Sequence, residues 1–520
     1  MKPLILCLAL TLAVTGTHAQ ILTSQYDRQR TGATLNEKIL TPQNVNANQF
    51  GKLGLFKVDG PVYAQPLYVP AVEVPGKGQH NLLFVATEHD TVYAFDADRP
   101  GDPALWQVSL LDKKQDASPV PARAVQCPFI QPEIGVTSTP VIDLKGGTLY
   151  VLARSMVGHA FADNQYFQHL HALAITTGAE KFGGPKLITA SVPGHGDGGA
   201  NGQVAFDPLR ENPRASLLLV NGMVYLSWAS SCDVAPYHGW VMAYDAQTLA
   251  QQAVLNATPD GREGGIWAAD TGPAADAAGN VFVPTGNGTF DAASGGRDYG
   301  DSVLKLSLQG ASLAVRDYFT PYDQERINER DADVGSSGPI LLPDQPGPHR
   351  HLLLQPTKNS VIYVIDRDQM GQFHSEGDSI LQRIPSHQGY GAMAYWNGHV
   401  FFAASDDPLR DYAIQRGKLS LSKSSEIKFE NPGATPSVSA DGNRNGLVWA
   451  IATRTWNGRD KAAVLYAFDA SDIGKPIYTS EQNGKRDRAA EATRFSIPVV
   501  VNGRVYLGAR GEVEVYGLLK

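Results

Sequence analysis

The residues with chemical reach fall into a few short stretches. Gly264-Gly265-Ile266-Trp267 is followed by Pro284-Thr285-Gly286-Asn287-Gly288, an indole and then an amide set among glycines. Pro356-Thr357-Lys358-Asn359 places an amine beside a second amide. Thr320-Pro321-Tyr322-Asp323-Gln324 opens a charged stretch that runs on through Asp331 to Asp333. Ser230-Ser231-Cys232-Asp233 adds a further carboxylate. A carboxylate acts as a base only within hydrogen-bond reach of the proton it takes. The fold must therefore carry one of these aspartates to a substrate.

Other chemistries have weaker footing. His169 and His171 alternate along a strand and share one face, yet two ligands do not complete a metal site. Gly194-His195-Gly196-Asp197-Gly198-Gly199 has neither a lysine nor a following helix, so it is a loop and not a phosphate cradle. No Gly-x-Ser-x-Gly elbow supports a serine hydrolase. No Cys-x-x-Cys-His attaches a haem. Cys127 and Cys232 either form a bridge or remain thiols, and spacing alone does not decide between them.

The elements that must position these residues repeat. Strands ending in aromatic, apolar residue, aspartate recur at Val92-Tyr93-Ala94-Phe95-Asp96, Val241-Met242-Ala243-Tyr244-Asp245, Ile362-Tyr363-Val364-Ile365-Asp366 and Leu465-Tyr466-Ala467-Phe468-Asp469. A second motif, a small residue and proline ahead of a short strand, precedes the repeats. It reads Ala64-Gln65-Pro66, Ser138-Thr139-Pro140, Thr271-Gly272-Pro273, Ser337-Gly338-Pro339, Ala434-Thr435-Pro436 and Ser496-Ile497-Pro498. Degenerate copies at Arg214-Ala215-Ser216-Leu217 and Gly391-Ala392-Met393-Ala394 bring the count to eight. Small residues suit innermost strands that converge on an axis, and proline is tolerated at a strand's start. The pattern predicts an all-β, eight-bladed β-propeller of four-stranded antiparallel blades, with seven blades as the alternative. Phe50 to Val58 is expected to close the ring against the C-terminal strands. Lys418 to Lys428 is the stretch most ambiguous between strand and helix.

The Tyr-x-Phe-Asp repeat, with Thr177-Gly178-Ala179-Glu180 after one copy, resembles the repeats of pyrroloquinoline quinone (PQQ) dehydrogenases and of cofactor-free propellers related to them. The resemblance implies that Trp267 forms a floor on which the flat quinone stacks, and that Asn287 ligates calcium through its amide oxygen. It implies Lys358, with Asn359, at the quinone oxygens, and Asp331 or Asp323 as base on the substrate hydroxyl. Asp233 stands near the family's glutamate ligand, one carbon shorter, and calcium takes six to eight oxygens. The adjacent cysteine pair that caps the quinone in many relatives is absent, since Pro128 follows Cys127. The tryptophan-rich docking repeats of that family are not evident either.

Composition narrows the partners. A net charge of −8 over 520 residues, without a basic run, speaks against nucleic acid. Lys2, the apolar run Leu4 to Val14 and Thr17-His18-Ala19 predict a signal peptide over 1–19, hence export to the periplasm or beyond. That run is too short to anchor the chain in a bilayer. The expected activity is oxidation of an alcohol or sugar hydroxyl with PQQ and calcium, electrons passing to a separate acceptor. The alternative is a non-catalytic scaffold that binds an envelope protein or a glycan.

Overall fold

The computed structural model describes residues 19–158, 163–269, 271–453 and 462–520. The expected signal peptide lies outside the described residues except for Ala19. Eight sheets form a ring, each of four antiparallel strands in its blade proper. Blade 1 comprises Leu67–Val74, Gly78–Ala86, Thr91–Asp96 and Trp106–Ser109. Blade 2 holds Val141–Asp143, Thr148–Val157, Gln165–Ala174 and Lys186–Leu187, and blade 3 Leu218–Val220, Met223–Trp228, Trp240–Asp245 and Gln251–Asn256. Blade 4 runs through Ala274–Ala275, Val281–Pro284, Val303–Gln309 and Ser312–Phe319. Blade 5 follows with Ile340–Leu341, Leu352–Pro356, Val361–Asp366 and Gln382–Pro385. Blade 6 is Ala394–Trp396, His399–Phe402, Asp407–Gln415 and Lys418–Phe429, so the ambiguous stretch is strand. Blade 7 is Ser437–Asp441, Arg444–Ala452, Val464–Asp469 and Asp472–Thr479.

Blade 8 closes the ring. Val499–Val501, Arg504–Gly508 and Arg510–Leu518 are completed by Phe50–Pro61, whose Phe50 pairs with Leu518 and Leu55 with Glu514. Closure leaves no open edge between first and last blades.

Each sheet buries both faces, which explains the unbroken apolar runs. In Val361–Asp366, Tyr363 and Ile365 pack with Phe282 and Val303 of blade 4. Ile362 and Val364, on the opposite face, pack with Met393, Val400 and Phe402 of blade 6. Two-residue periodicity thus feeds two cores at once.

The innermost strands are knit to one another and to the chain's first described residues. Thr139 accepts Gln65 N–H at its hydroxyl (2.8 Å) and Leu217 N–H at its carbonyl (3.0 Å), joining blades 1, 2 and 3. Across one end of the axis, the segment 21–37 visits inner strands around the ring. Ile21 pairs with Tyr68, Leu22 with Ile142, Arg28 with Ala275, Gln29 with Leu341, Thr31 with Tyr395 and Gly32 with Val438. Tyr26 Oη donates to Pro498 O and accepts from Val500 N in blade 8. Arg30, fully buried, donates to Leu217 O, Pro273 O, Ser24 O and Thr23 Oγ1. One end of the axis is therefore plugged, and a cavity opens at the other.

Candidate functional site

In five blades the residue four places ahead of the inner strand, Tyr63, Arg214, Ser336, Tyr390 or Phe495, lines a cavity of about 160 Å³. The repeat phase that counts the blades thus also marks the cavity wall. Trp267, Asp233, Asp333 and Lys358 line the same cavity.

Trp267 and Asp333 flank Gly286. A Cβ there would stand 2.4 Å from Asp333 Oδ1 and 3.1 Å from Trp267 Cδ1, so only glycine lets the two approach. Asn287 N donates to Asp333 Oδ1 at 3.0 Å, and its Nδ2 donates to Asp331 Oδ1 at 2.9 Å. Its buried Oδ1 meets no donor among the described residues, and neither does Trp267 Nε1 meet an acceptor.

Lys358 Nζ lies 2.6 Å from Asp331 Oδ1 and 3.1 Å from Asp333 Oδ2. Burial works against the ammonium, but Asp333 and Asp331 outweigh it and raise the pKa. Burial pushes Asp333 up, with Lys358 pulling it back. The two aspartates differ in access. Asp333 is 9 % exposed at its side chain and faces the cavity, whereas Asp331 is 62 % exposed and holds Lys358 from outside. Sequence reasoning preferred Asp331; Asp333 is the one set against the indole.

Asp233 lines the same cavity. Its Oδ1 accepts from Tyr237 Oη at 2.8 Å and from Ser230 Oγ at 3.3 Å, and its surroundings push the carboxyl up, first by desolvation. Asp323 and Asn359 do not join the group. Asp323 is ion-paired with Arg383 at 2.9 Å and with Arg326 at the start of the helix Gln324–Glu329. Burial would raise its pKa, but the two arginines hold it below the usual carboxylate range. Asn359 turns its amide to Tyr363 Oη at 3.5 Å.

Two further features line the cavity. Phe495 is sandwiched between Arg214 (4.5 Å) and Arg494 (5.1 Å), and Arg494 also covers Phe129 (4.5 Å). A roof built from Ser118–Pro121, Ala122–Val125 and Glu133–Ile134 contributes Val125, Cys127, Phe129, Ile130 and Ile134. Cys127 and Cys232 form a disulfide across 105 residues, with Cα atoms 5.5 Å apart. This resolves the alternative that spacing had left open.

His169 and His171 do share a face, with ring centroids 6.2 Å apart, and His171 Nδ1 is bonded to Glu180. Among the described residues no three His, Cys, Asp or Glu side chains gather into a metal-ligand set, and no described helix is long and apolar enough to cross a membrane.

The ring is an eight-bladed β-propeller, and its fold is shared with solved quinoprotein dehydrogenases. The similar solved structures include a quinohemoprotein alcohol dehydrogenase of Pseudomonas putida HK5, with 16 % identity over 96 % of this chain and 80 % of that one, at TM-score 0.58. The corresponding enzyme of Comamonas testosteroni matches with 15 % identity, the same coverage and TM-score 0.59. A europium-containing methanol dehydrogenase matches with 13 % identity over 96 % and 98 % of the two chains, at TM-score 0.58. These identities establish a shared fold. No protein-family model matches the sequence, and no curated protein does.

Proposed function

We propose that the protein is an exported quinoprotein that holds PQQ on Trp267 and oxidises an alcohol or sugar hydroxyl. The observation that carries this reading is the approach of an indole and a lysine-paired carboxylate across Gly286, inside one axial cavity. The donor set fits the group. An indole face stabilises a stacked ring by about 0.5–1.5 kcal/mol beyond area burial. Arg214 and Arg494 supply charge for the cofactor's carboxylates. Asp233 on the cavity wall is a hard-cation donor, and the unanswered Oδ1 of Asn287, beside the cavity-lining Asp333, would be a second if it turned to the same ion.

Bound PQQ would supply the two-electron acceptor that the side chains lack. The chain's own residues do the rest. Asp333 takes the hydroxyl proton at its carboxylate, and burial raises its basicity toward that task. Lys358 holds Asp333 in place and keeps a positive charge beside the reacting group. Tyr237 and Ser230 fix Asp233. The apolar roof excludes water. Electrons would leave to a separate acceptor, in the periplasm or outside the cell.

A second reading has one observation in its favour: Lys358 is already answered by Asp331 and Asp333, as in a purely structural network. In that case the ring is a scaffold for an envelope protein or a glycan. Purified protein supplied with PQQ and calcium separates the two. The enzyme reading expects dye reduction with at least one alcohol or sugar, and the absence of any turnover across both classes refutes it.

A further inference from the structure

The cavity beneath the roof, at about 160 Å³, is smaller than the roughly 300 Å³ at which small-molecule pockets begin. Movement of the roof would enlarge it for a sizeable ligand. The roof is a projecting hairpin. Its root pairs with blade 2 through Pro119 with Ser155 and Ser118 with Met156, and with itself through Val120 and Pro121. Its far side is tied down by Tyr63 Oη to Phe129 O (3.1 Å), Arg510 Nη1 to Gln131 O (2.7 Å), the Arg494–Phe129 contact and the disulfide. Of these, the disulfide alone is covalent.

That bond joins the roof to the residue preceding Asp233. Cys232 and Asp233 both lie in the left-handed region, with φ of 53° and 52°, which few non-glycine residues adopt, aspartate more readily than cysteine. Tethering Cys232 thus holds the roof down and helps hold the turn that presents Asp233. Cys127 is 9 % exposed within an apolar cluster of Val120, Val125, Ile130 and Ile134, whereas Cys232 is partly open to solvent.

We propose that Cys127–Cys232 is a thiol-exchangeable clasp, reduced by a dithiol to free the roof and relax the Asp233 turn. An incoming thiolate attacks Sγ of Cys232, the S–S bond breaks, and Cys127 leaves as a thiolate that takes up a proton. The second thiol of the reductant then displaces Cys232, so the dithiol becomes a disulfide and the protein gains two thiols. The clasp does not depend on quinone binding and stands whether or not PQQ is the ligand.

The test uses the whole protein and dithiothreitol. Trp267 fluorescence, isolated by difference against Trp267→Phe, is quenched with acrylamide before and after reduction, while thiol titration counts the two new thiols and far-ultraviolet dichroism checks the fold. Reduction should raise quenching of Trp267 severalfold and open residues 118–134 to proteolysis. The double variant Cys127→Ser/Cys232→Ser should behave as the reduced protein and respond no further to reductant. Should that variant not fold, reduced native protein carries the test alone. Two titrated thiols with unchanged quenching and unchanged cleavage would overturn the clasp, as would thiols that appear only when the whole protein unfolds.

Discussion

Trp267 Cδ1 and Asp333 Oδ1 both crowd Gly286, where a Cβ would stand 3.1 Å from the first and 2.4 Å from the second. Gly286 thus sets a residue that enters blade 4 beside one that enters blade 5, the proposed stacking surface beside the proposed base. Gly286→Ala must displace one or the other. The expected result is about a tenfold loss of quinone affinity, the equivalent of one stacking contact, with the denaturation midpoint little changed. Equilibrium titration with PQQ measures it, and unchanged affinity would separate Trp267 from the binding surface.

Asp333 and Asp323 make opposite predictions. Asp333→Asn keeps the shape and the hydrogen bond from Asn287 N but removes the proton acceptor and the charge paired with Lys358, so kcat should fall about a hundredfold or more while quinone remains bound. Asp323→Asn loosens the Arg383 and Arg326 pairs away from the cavity and should leave turnover as it was. Equal losses in the two variants would contradict the assignment.

The axial plug predicts a stability effect far from the cavity. Arg30→Met leaves Leu217 O, Pro273 O, Ser24 O and Thr23 Oγ1 without their buried donor. The cost should be about 3–5 kcal/mol, as for a buried charged group removed from its partners. Denaturant unfolding checks this, and a cost within experimental error would show that the segment merely lies against the ring.

Glu88 sits fully buried at the base of the roof, accepting from Gly135 N (2.8 Å) and Thr137 Oγ1 (2.9 Å). Burial raises its pKa to about 7, despite those donors. The folded chain therefore keeps a proton that the unfolded chain releases above its ordinary pKa of 4.5. Stability from this group falls as pH rises from about 4.5 to 7 and then levels off, a span on the order of 3 kcal/mol. Glu88→Gln should gain on the native protein in unfolding free energy between pH 5 and pH 8. A constant difference over that range would place the carboxyl's pKa elsewhere.

Much of the architecture was legible because one supersecondary unit is written eight times. A proline ahead of the inner strand marks the same point in six of the eight blades, and Phe50 to Val58 has the strand pattern that Arg510–Leu518 lacked a partner for. The cavity was legible only in part. The different settings of Asp331 and Asp333 were not legible, because the short helix Gln324–Glu329 and the left-handed φ of 51° at Asp331 set the direction of each side chain. The disulfide joins residues from different blades, and nothing in spacing brings blades 2 and 3 together at that point. The plug has no periodicity, since its residues each answer a different strand, so it carries no pattern to read.

The central claim is that this cavity takes a quinone on the face of Trp267. Calcium-dependent binding of PQQ, followed by quinone absorbance on purified protein and on Trp267→Ala, tests it most directly. The account predicts one equivalent bound to the native protein and at least about a tenfold weaker binding to the variant. Native protein that retains no quinone with calcium present, or a variant that binds it equally well, would contradict it.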